Sequence, residues 1–174
     1  LFDYGGALTD NGLDITSAPA GTDPADLAIQ TAIANQVNLV NSTGVSVQFW
    51  DGPNETADGT INGGSGTWDA DNRQWTNTNG SANDQWGGQF AIFQGEAGTV
   101  LLDDSHGGIT ATGMQFAVDG YRIEGAALGL SATESVIRVG DGTADGASIT
   151  ATIASQLEGT GTLLKTDLGR LILT

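Results

Sequence analysis

The sequence has no cysteine, three prolines, one histidine and only five basic residues among its 174 positions. Without cysteine, disulfide bonds, thiol catalysis and thiolate metal sites are excluded, and export through a bacterial envelope is simpler. Five Lys or Arg against 21 Asp or Glu give a net charge of −16. Because such a chain repels phosphate backbones and anionic membrane surfaces, nucleic-acid binding is excluded.

Long apolar runs are also missing. No stretch approaches the roughly 18 consecutive apolar residues of a membrane-spanning helix, so direct membrane insertion is not expected. Residues 1–4 have neither the basic nor the apolar region of a signal peptide. The sequence starts without methionine, which predicts a fragment or a processed product with any targeting signal outside it.

The residues present favour an all-β protein. Twenty-seven glycines mark frequent turns, and a hydrophobic content of 39 % predicts that the chain folds. Short β-branched or aliphatic segments bounded by turn residues predict strands. These segments are 37–40, 45–50, 90–93, 100–103, 109–116, 121–124, 128–130, 136–139, 148–153, 163–165 and 171–173. Residues 24–35 are the only segment whose composition also suits a helix.

The connections between these strands favour a solenoid over a meander sandwich. Segments 95–98, 125–127 and 159–161 are typical of corners, whereas Asp119-Gly120 and Asp141-Gly142 suit tight hairpins. A solenoid with coils of about 20 residues stacks short strands above their counterparts and buries an aliphatic interior. At about 4.8 Å per coil, the chain would form a rod of roughly 40 Å.

Tryptophan is concentrated in residues 51–89, a polar and Gly-rich stretch that contains loops. Trp68, Trp75 and Trp86 lie there. The main interpretation is that their rings cap or line the strand stack, with the indole N–H groups satisfied at the surface. The alternative is a platform on which these three rings contact a glycan.

Two polar clusters invite a chemical interpretation. The segment 103–106 contains Asp, Ser and the single His, but successive side chains of an extended segment diverge, which favours a turn over a catalytic triad. Asp141 and Asp145 partly match a calcium loop, although Thr152 stands where an EF-hand has Glu. Adventitious calcium at these two carboxylates is the alternative to a solvated turn. We therefore predict no catalytic residue and no cofactor.

The last sixteen residues carry a more specific pattern. The segment 159–174, GTGTLLKTDLGRLILT, resembles the autotransporter-associated β-strand repeat, with Asp167 where that repeat has its first turn glycine. Segments 63–69, 74–77, 90–95, 98–100, 113–116 and 120–125 resemble, in the same order, motifs of large bacterial autotransporter passengers. Several ordered motifs together are more specific than any one of them.

This resemblance implies a right-handed, single-stranded parallel β-helix over residues 1–174. It also implies type V secretion, with a separate C-terminal barrel in the outer membrane and display of the passenger on the cell surface. The expected role is a non-enzymatic rigid stalk or adhesion module that contacts a host or neighbouring-cell ligand or associates with itself. The alternative is a β-helical glycosidase or lyase, or a carbohydrate-binding module. An enzyme acting on an acidic polysaccharide needs clustered cations, whereas the five Lys and Arg residues are scattered along the sequence. A neutral glycan remains open as a substrate, with two carboxylates at the separation of a hydrolase.

Overall fold

The computed structural model describes all 174 residues and is almost entirely β-structure. Strands hold 39 % of the residues and helical turns 4 %. The helical turns are two short 3-10 segments, Pro24–Asp26 and Asp145–Ser148. The predicted all-β class is confirmed.

Eighteen short strands follow one another along the chain. In order they are β1 (Phe2–Asp3), β2 (Leu27–Gln30), β3 (Gln36–Asn41), β4 (Val47–Trp50), β5 (Gly66–Trp68), β6 (Trp75–Thr76), β7 (Asn83–Asp84), β8 (Phe90–Phe93), β9 (Thr99–Leu102), β10 (Ile109–Ala111), β11 (Gly113–Phe116), β12 (Arg122–Gly125), β13 (Leu128–Leu130), β14 (Glu134–Val139), β15 (Thr150–Ile153), β16 (Leu157–Glu158), β17 (Thr162–Thr166) and β18 (Arg170–Leu173).

These strands form four sheets. Sheet I has the order β17-β14-β11-β8-β4-β6-β7, sheet II the order β18-β15-β12-β9-β5, and sheet III the order β10-β13-β16. The N-terminal sheet has the order β1-β3-β2 and is antiparallel. Every pair in sheets II and III is parallel, and so is every pair in sheet I from β4 to β17.

From β8 onward the chain visits sheets I, II and III in turn and then begins again, and each passage is one coil. Gly113 in β11 pairs with Phe90 in the coil before it and with Val136 in the coil after it. Paired residues lie 19 to 30 positions apart from β8 to β18. The 3-10 segment Asp145–Ser148 lies in one of the longer coils.

The connections are corners between sheets. Segments 95–98 and 125–127 join sheet I to sheet II and sheet II to sheet III, as the sequence predicts. Asp119-Gly120 also joins sheet I to sheet II, and the hairpin that its sequence suggests is wrong. The predicted strand 109–116 is divided at Thr112, because β10 belongs to sheet III and β11 to sheet I.

The N-terminal part departs from this regular pattern. Residues 51–89 leave sheet I after β4, contribute β5 to sheet II, and return as the antiparallel pair β6-β7 beside β4. This pair covers the edge of β4 that faces away from the stack. The helix considered for residues 24–35 is wrong, because Ala28 and Ile29 pair with Val40 and Leu39 in the N-terminal sheet.

The main core lies between sheets I, II and III. Alternate residues of each strand point inward, as in β8, β11 and β14, where Phe93, Met114 and Ile137 are fully buried. A smaller core on the outer face of sheet I is made by Ala32, Ile33, Phe49, Ile61 and Ile92. It attaches the N-terminal region to the stack through buried apolar area.

The last coil presents apolar side chains to solvent. Leu163, Leu164, Leu168 and Leu173 are exposed in and between β17 and β18. Lys165 lies at a position in register with buried Ile137, and its Nζ donates hydrogen bonds to the carbonyl oxygens of Asp167 and Gly169. The structure contains no helix with the length and apolar character that crossing a membrane requires.

Candidate functional sites

An apolar column crosses the outer face of sheet I. Ser135 and Ile137 point into the core, so Val136 between them points outward. Val47, Phe90, Gly113 and Val136 stand side by side in register on neighbouring strands. Residues in such a column face the same side of the sheet. The column therefore forms a continuous apolar strip from β4 to β14.

Gly113 gives this strip its shape. A Cβ atom at Gly113 would lie 2.6 Å from the carbonyl oxygen of Val136 and 2.8 Å from Cε2 of Phe90. The Phe90 ring therefore reaches over the backbone of β11, in the space that a side chain would fill. A glycine inside a strand often marks such a close approach. This arrangement leaves a depression in the outer face of sheet I.

The depression continues as an open groove of about 440 Å³. Its walls come from the starts of successive strands and the corners before them, and they include Val45, Thr112 and Glu134. Glu134 is exposed and its carboxylate makes no hydrogen bond or ion pair within the chain. The groove thus joins an apolar floor to one free negative charge.

The four tryptophans are interior groups rather than a surface platform. Trp50, Trp68 and Trp75 are at most 1 % exposed, and Trp86 is half-buried against them. The ring centroids of Trp68 and Trp75 lie 4.8 Å apart, and those of Trp75 and Trp86 lie 4.3 Å apart. Buried rings cannot stack on a sugar. The glycan-contact hypothesis for Trp68 and Trp75 is therefore wrong. Trp86 alone cannot form the platform of three rings.

Only two of the four indole N–H groups have a hydrogen-bond partner. Trp50 donates to the carbonyl oxygen of Gly64 at 2.8 Å, and Trp86 donates to that of Thr110 at 2.7 Å. The N–H groups of Trp68 and Trp75 are buried and have no partner within the chain. Packing of the two large rings at the start of the core outweighs the hydrogen bonds that they lose.

The aromatic packing continues into the next coil. Phe93 and Phe116 are stacked with centroids 5.0 Å apart and an interplanar angle of 13°. The hydroxyl of buried Tyr121 lies 2.6 Å from the carbonyl oxygen of Glu96 and accepts a hydrogen bond from the N–H of Gly64 at 3.1 Å. Burial is the main cause that raises the pKa of Tyr121 far above its ordinary value. The phenol therefore stays neutral and acts as a structural bridge.

Asp51 is a buried carboxylate that no sequence motif indicates. It follows β4 directly, is fully buried, and accepts hydrogen bonds from the Asn62 N–H at 2.7 Å and from the side-chain amides of Asn83 and Asn54 at 2.9 and 3.0 Å. Burial raises the pKa of Asp51, and these hydrogen bonds offset only part of that effect. Both oxygens are occupied by donors, so the carboxylate holds the polar stretch 51–89 in place instead of binding a ligand.

The single histidine does not form a triad. His106 Nδ1 lies 3.4 Å from Oγ of Ser105 and 3.6 Å from Oδ2 of Asp69. In a Ser-His-Asp triad the Ser and the Asp contact different ring nitrogens of the His. Here Ser105 and Asp69 both approach Nδ1 of His106. Asp103 instead accepts the N–H of Ser105, which lowers the pKa of Asp103. The predicted turn at this segment is present.

The proposed calcium carboxylates lie in a self-bonded turn. Oδ1 of Asp141 accepts the N–H of Thr143 at 2.9 Å and its hydroxyl at 2.8 Å, and Asp145 begins a 3-10 segment. No group of three or more His, Cys, Asp or Glu side chains converges to hold a metal ion. The local hydrogen bonds account for this turn without a cation.

Comparison with known proteins finds a curated protein that is similar to the whole chain. The chain is 48 % identical, over 181 aligned positions that cover all of it, to part of the adhesin BmaC autotransporter of Brucella suis biovar 1 (strain 1330). The chain is similar to a segment of an autotransporter adhesin. It spans 5 % of the length of that relative. No protein-family profile matches the chain, and no solved structure matches it significantly.

Proposed function

We propose that the chain is a segment of an autotransporter passenger, built as a right-handed parallel β-helix and displayed on the bacterial cell surface. The observation that carries this proposal is the 48 % identity to an autotransporter adhesin across the whole chain. At that level of identity over 181 positions, the two segments are expected to share a fold. The name of the relative supports an adhesive role for the protein that contains this segment.

The β-helix is supported by the register of the strands. Three parallel sheets receive strands in the repeating order I, II, III, and Phe90, Gly113 and Val136 align without offset. In a stack of this kind each coil contacts only its neighbours, and length is gained by adding coils. A rod of stacked coils suits a spacer that holds an adhesive surface away from the membrane.

The role proposed is structural and adhesive rather than catalytic. The competing glycan-acting enzyme or carbohydrate-binding module loses its candidate residues, because Trp68 and Trp75 are buried. The only His sits beside Asp69 and Ser105 in a geometry that does not activate a nucleophile. No second function is favoured by a specific contact.

Surface labelling of intact cells tests the proposal. Antibodies against the 174-residue chain should label intact cells that express the complete gene, and added protease should remove the label. A matched sample with a permeabilised outer membrane should gain little signal. Labelling only after permeabilisation would contradict surface display. Turnover of a neutral or acidic glycan by the purified chain, abolished by one Asp substitution, would contradict the non-enzymatic role.

A further inference from the structure

We propose that the groove on sheet I binds a lysine or arginine side chain from an extended segment of a partner protein. The groove is the open depression lined by Val45, Phe90, Thr112, Glu134 and Val136. This inference rests on the adhesive part of the proposed function and specifies the chemistry of the partner. It combines three observations: the apolar floor, the free carboxylate and the charge of the whole chain.

The floor suits the aliphatic part of a long basic side chain. Phe90 and Val136 are partly exposed, and Gly113 between them adds no side chain. The missing Cβ matters, because it would collide with the Phe90 ring at 2.8 Å. Lys and Arg side chains bury their methylene stems on apolar surface and keep the charged end in contact with polar groups. An aromatic ring beside the stem also attracts the cation.

The wall of the groove supplies the opposite charge. Glu134 and Val136 project from the same outer face of β14, since Ser135 between them points into the core. Glu134 has no cationic partner in the chain, whereas Arg73, Arg122 and Arg138 are each paired with another carboxylate. A guanidinium or ammonium group arriving along the floor would meet this free carboxylate.

The charge of the chain favours the same occupant. With a net charge of −16, the chain attracts basic partners from a distance and repels acidic ones. No Lys or Arg lines the groove, so an acidic peptide or a uronic-acid polymer would meet no counter-charge there. An extended segment is favoured because the groove runs across successive strands of sheet I rather than into the interior.

The test uses the purified 174-residue chain and two matched probes. The first is an acetylated pentapeptide, Gly-Ser-Arg-Ser-Gly, and the second has citrulline in place of Arg, which keeps the shape and removes the charge. Titration of the isotopically labelled chain followed by NMR should shift the backbone amides of Phe90, Gly113 and Glu134 with the Arg peptide. The citrulline peptide should bind about twofold to fivefold more weakly, as expected for loss of one exposed charge pair.

Two variants separate a site from general attraction. Glu134→Gln should weaken binding of the Arg peptide by about threefold to fivefold. Glu158→Gln removes the same charge from exposed β16 in sheet III and should leave the affinity unchanged. Equal weakening by both variants, amide shifts outside the groove, or equal binding of the citrulline peptide would overturn the proposal. These outcomes leave surface display untouched, because the cell-labelling experiment tests it separately.

Discussion

Asp167 is bound to Arg138 of the preceding coil. Oδ2 of Asp167 accepts a hydrogen bond from Nε of Arg138 at 2.9 Å and another from the N–H of Gly142 at 3.2 Å. Asp167 also adopts a left-handed backbone with a φ of 66°, in the turn between β17 and β18. Glycine would adopt that backbone with less strain. The contacts to Arg138 and Gly142 explain how an aspartate is stabilised there.

Replacing Asp167 should change the stability of the fold in a way that depends on pH. Partial burial raises the pKa of Asp167, but the hydrogen bonds from Arg138, Leu168 and Gly142 outweigh that effect and hold the pKa below its ordinary value. A lowered folded-state pKa contributes stability above the unfolded value that is lost as the pH falls through the folded value. The free energy of unfolding of the wild type should therefore exceed that of Asp167→Asn by a constant amount near neutrality, about 1 kcal/mol or less. This difference should shrink below about pH 4.

Urea unfolding of both proteins between pH 7 and pH 2 measures that difference. Asp141→Asn is a matched control, since Asp141 bonds only within its own exposed turn. A difference from Asp167→Asn that stays constant throughout the acid range would show that the ion pair does not stabilise the fold.

Removal of Trp68 should destabilise the whole stack. The side chain is fully buried and packs on Trp75, Trp86 and Phe93. Truncation of a buried Trp to Ala leaves a cavity and costs about 3–5 kcal/mol. Trp68→Ala should lower the free energy of unfolding by that amount. Leu101→Ala, at a position 46 % exposed, should cost less than about 0.5 kcal/mol. Similar losses for both variants would contradict the interior position of Trp68.

Asp51 should show the opposite dependence on pH from Asp167. Burial raises its folded-state pKa, so its favourable contribution is fully present below the unfolded pKa and is lost as the pH rises through the folded value. The stability of the wild type relative to Asp51→Asn should therefore decrease between about pH 4 and neutrality. Thermal unfolding of both proteins across this range measures it. A relative stability that increases with pH would mean that Asp51 is stabilised as a carboxylate.

Even the smallest side chain at position 113 should destabilise the fold. Gly113→Ala places a Cβ against the carbonyl oxygen of Val136 and the ring of Phe90. Overpacking of this kind costs about 1–3 kcal/mol. Gly108→Ala is the matched control, because a Cβ there meets nothing within 4 Å. Chemical denaturation should separate the two variants by at least about 1 kcal/mol. Equal stabilities would show that the Phe90 ring does not occupy the space above Gly113.

The sequence predicts the repeating part of the fold well. Segment 90–93 is a strand with those bounds, and the glycine corners at 95–98 and 125–127 lie between sheets. These features depend on local chemistry, since β-branched and aromatic residues favour strands and glycine permits corners. Local chemistry does not identify the partner of a strand, which is why Asp119-Gly120 resembles a hairpin and is a corner.

The N-terminal sheet, the stretch 51–89 and the groove were harder to predict. Residues 27–30 pair with β3, but their apolar run of three residues, Leu27 to Ile29, is too short to distinguish a strand from a helix. The buried role of Asp51 depends on Asn62 and Asn83, which are distant in sequence. Gly113 inside a strand pattern was the one available sign of a close approach on the outer face. The free carboxylate of Glu134 beside it follows only from the register of β14.

The register of neighbouring coils can be measured directly, because the chain has no cysteine of its own. Leu101 and Glu124 are paired on the outer face of sheet II, where parallel strands lie about 4.8 Å apart, within reach of a disulfide. Leu101 and Arg122 differ from that pair by two residues and lie roughly 8 Å apart, beyond that reach. Oxidation of the Leu101→Cys, Glu124→Cys double variant should give an intramolecular disulfide rapidly, whereas the Leu101→Cys, Arg122→Cys variant should remain reduced. Equal rates in the two proteins, or faster oxidation of the second, would contradict the stacking of neighbouring coils.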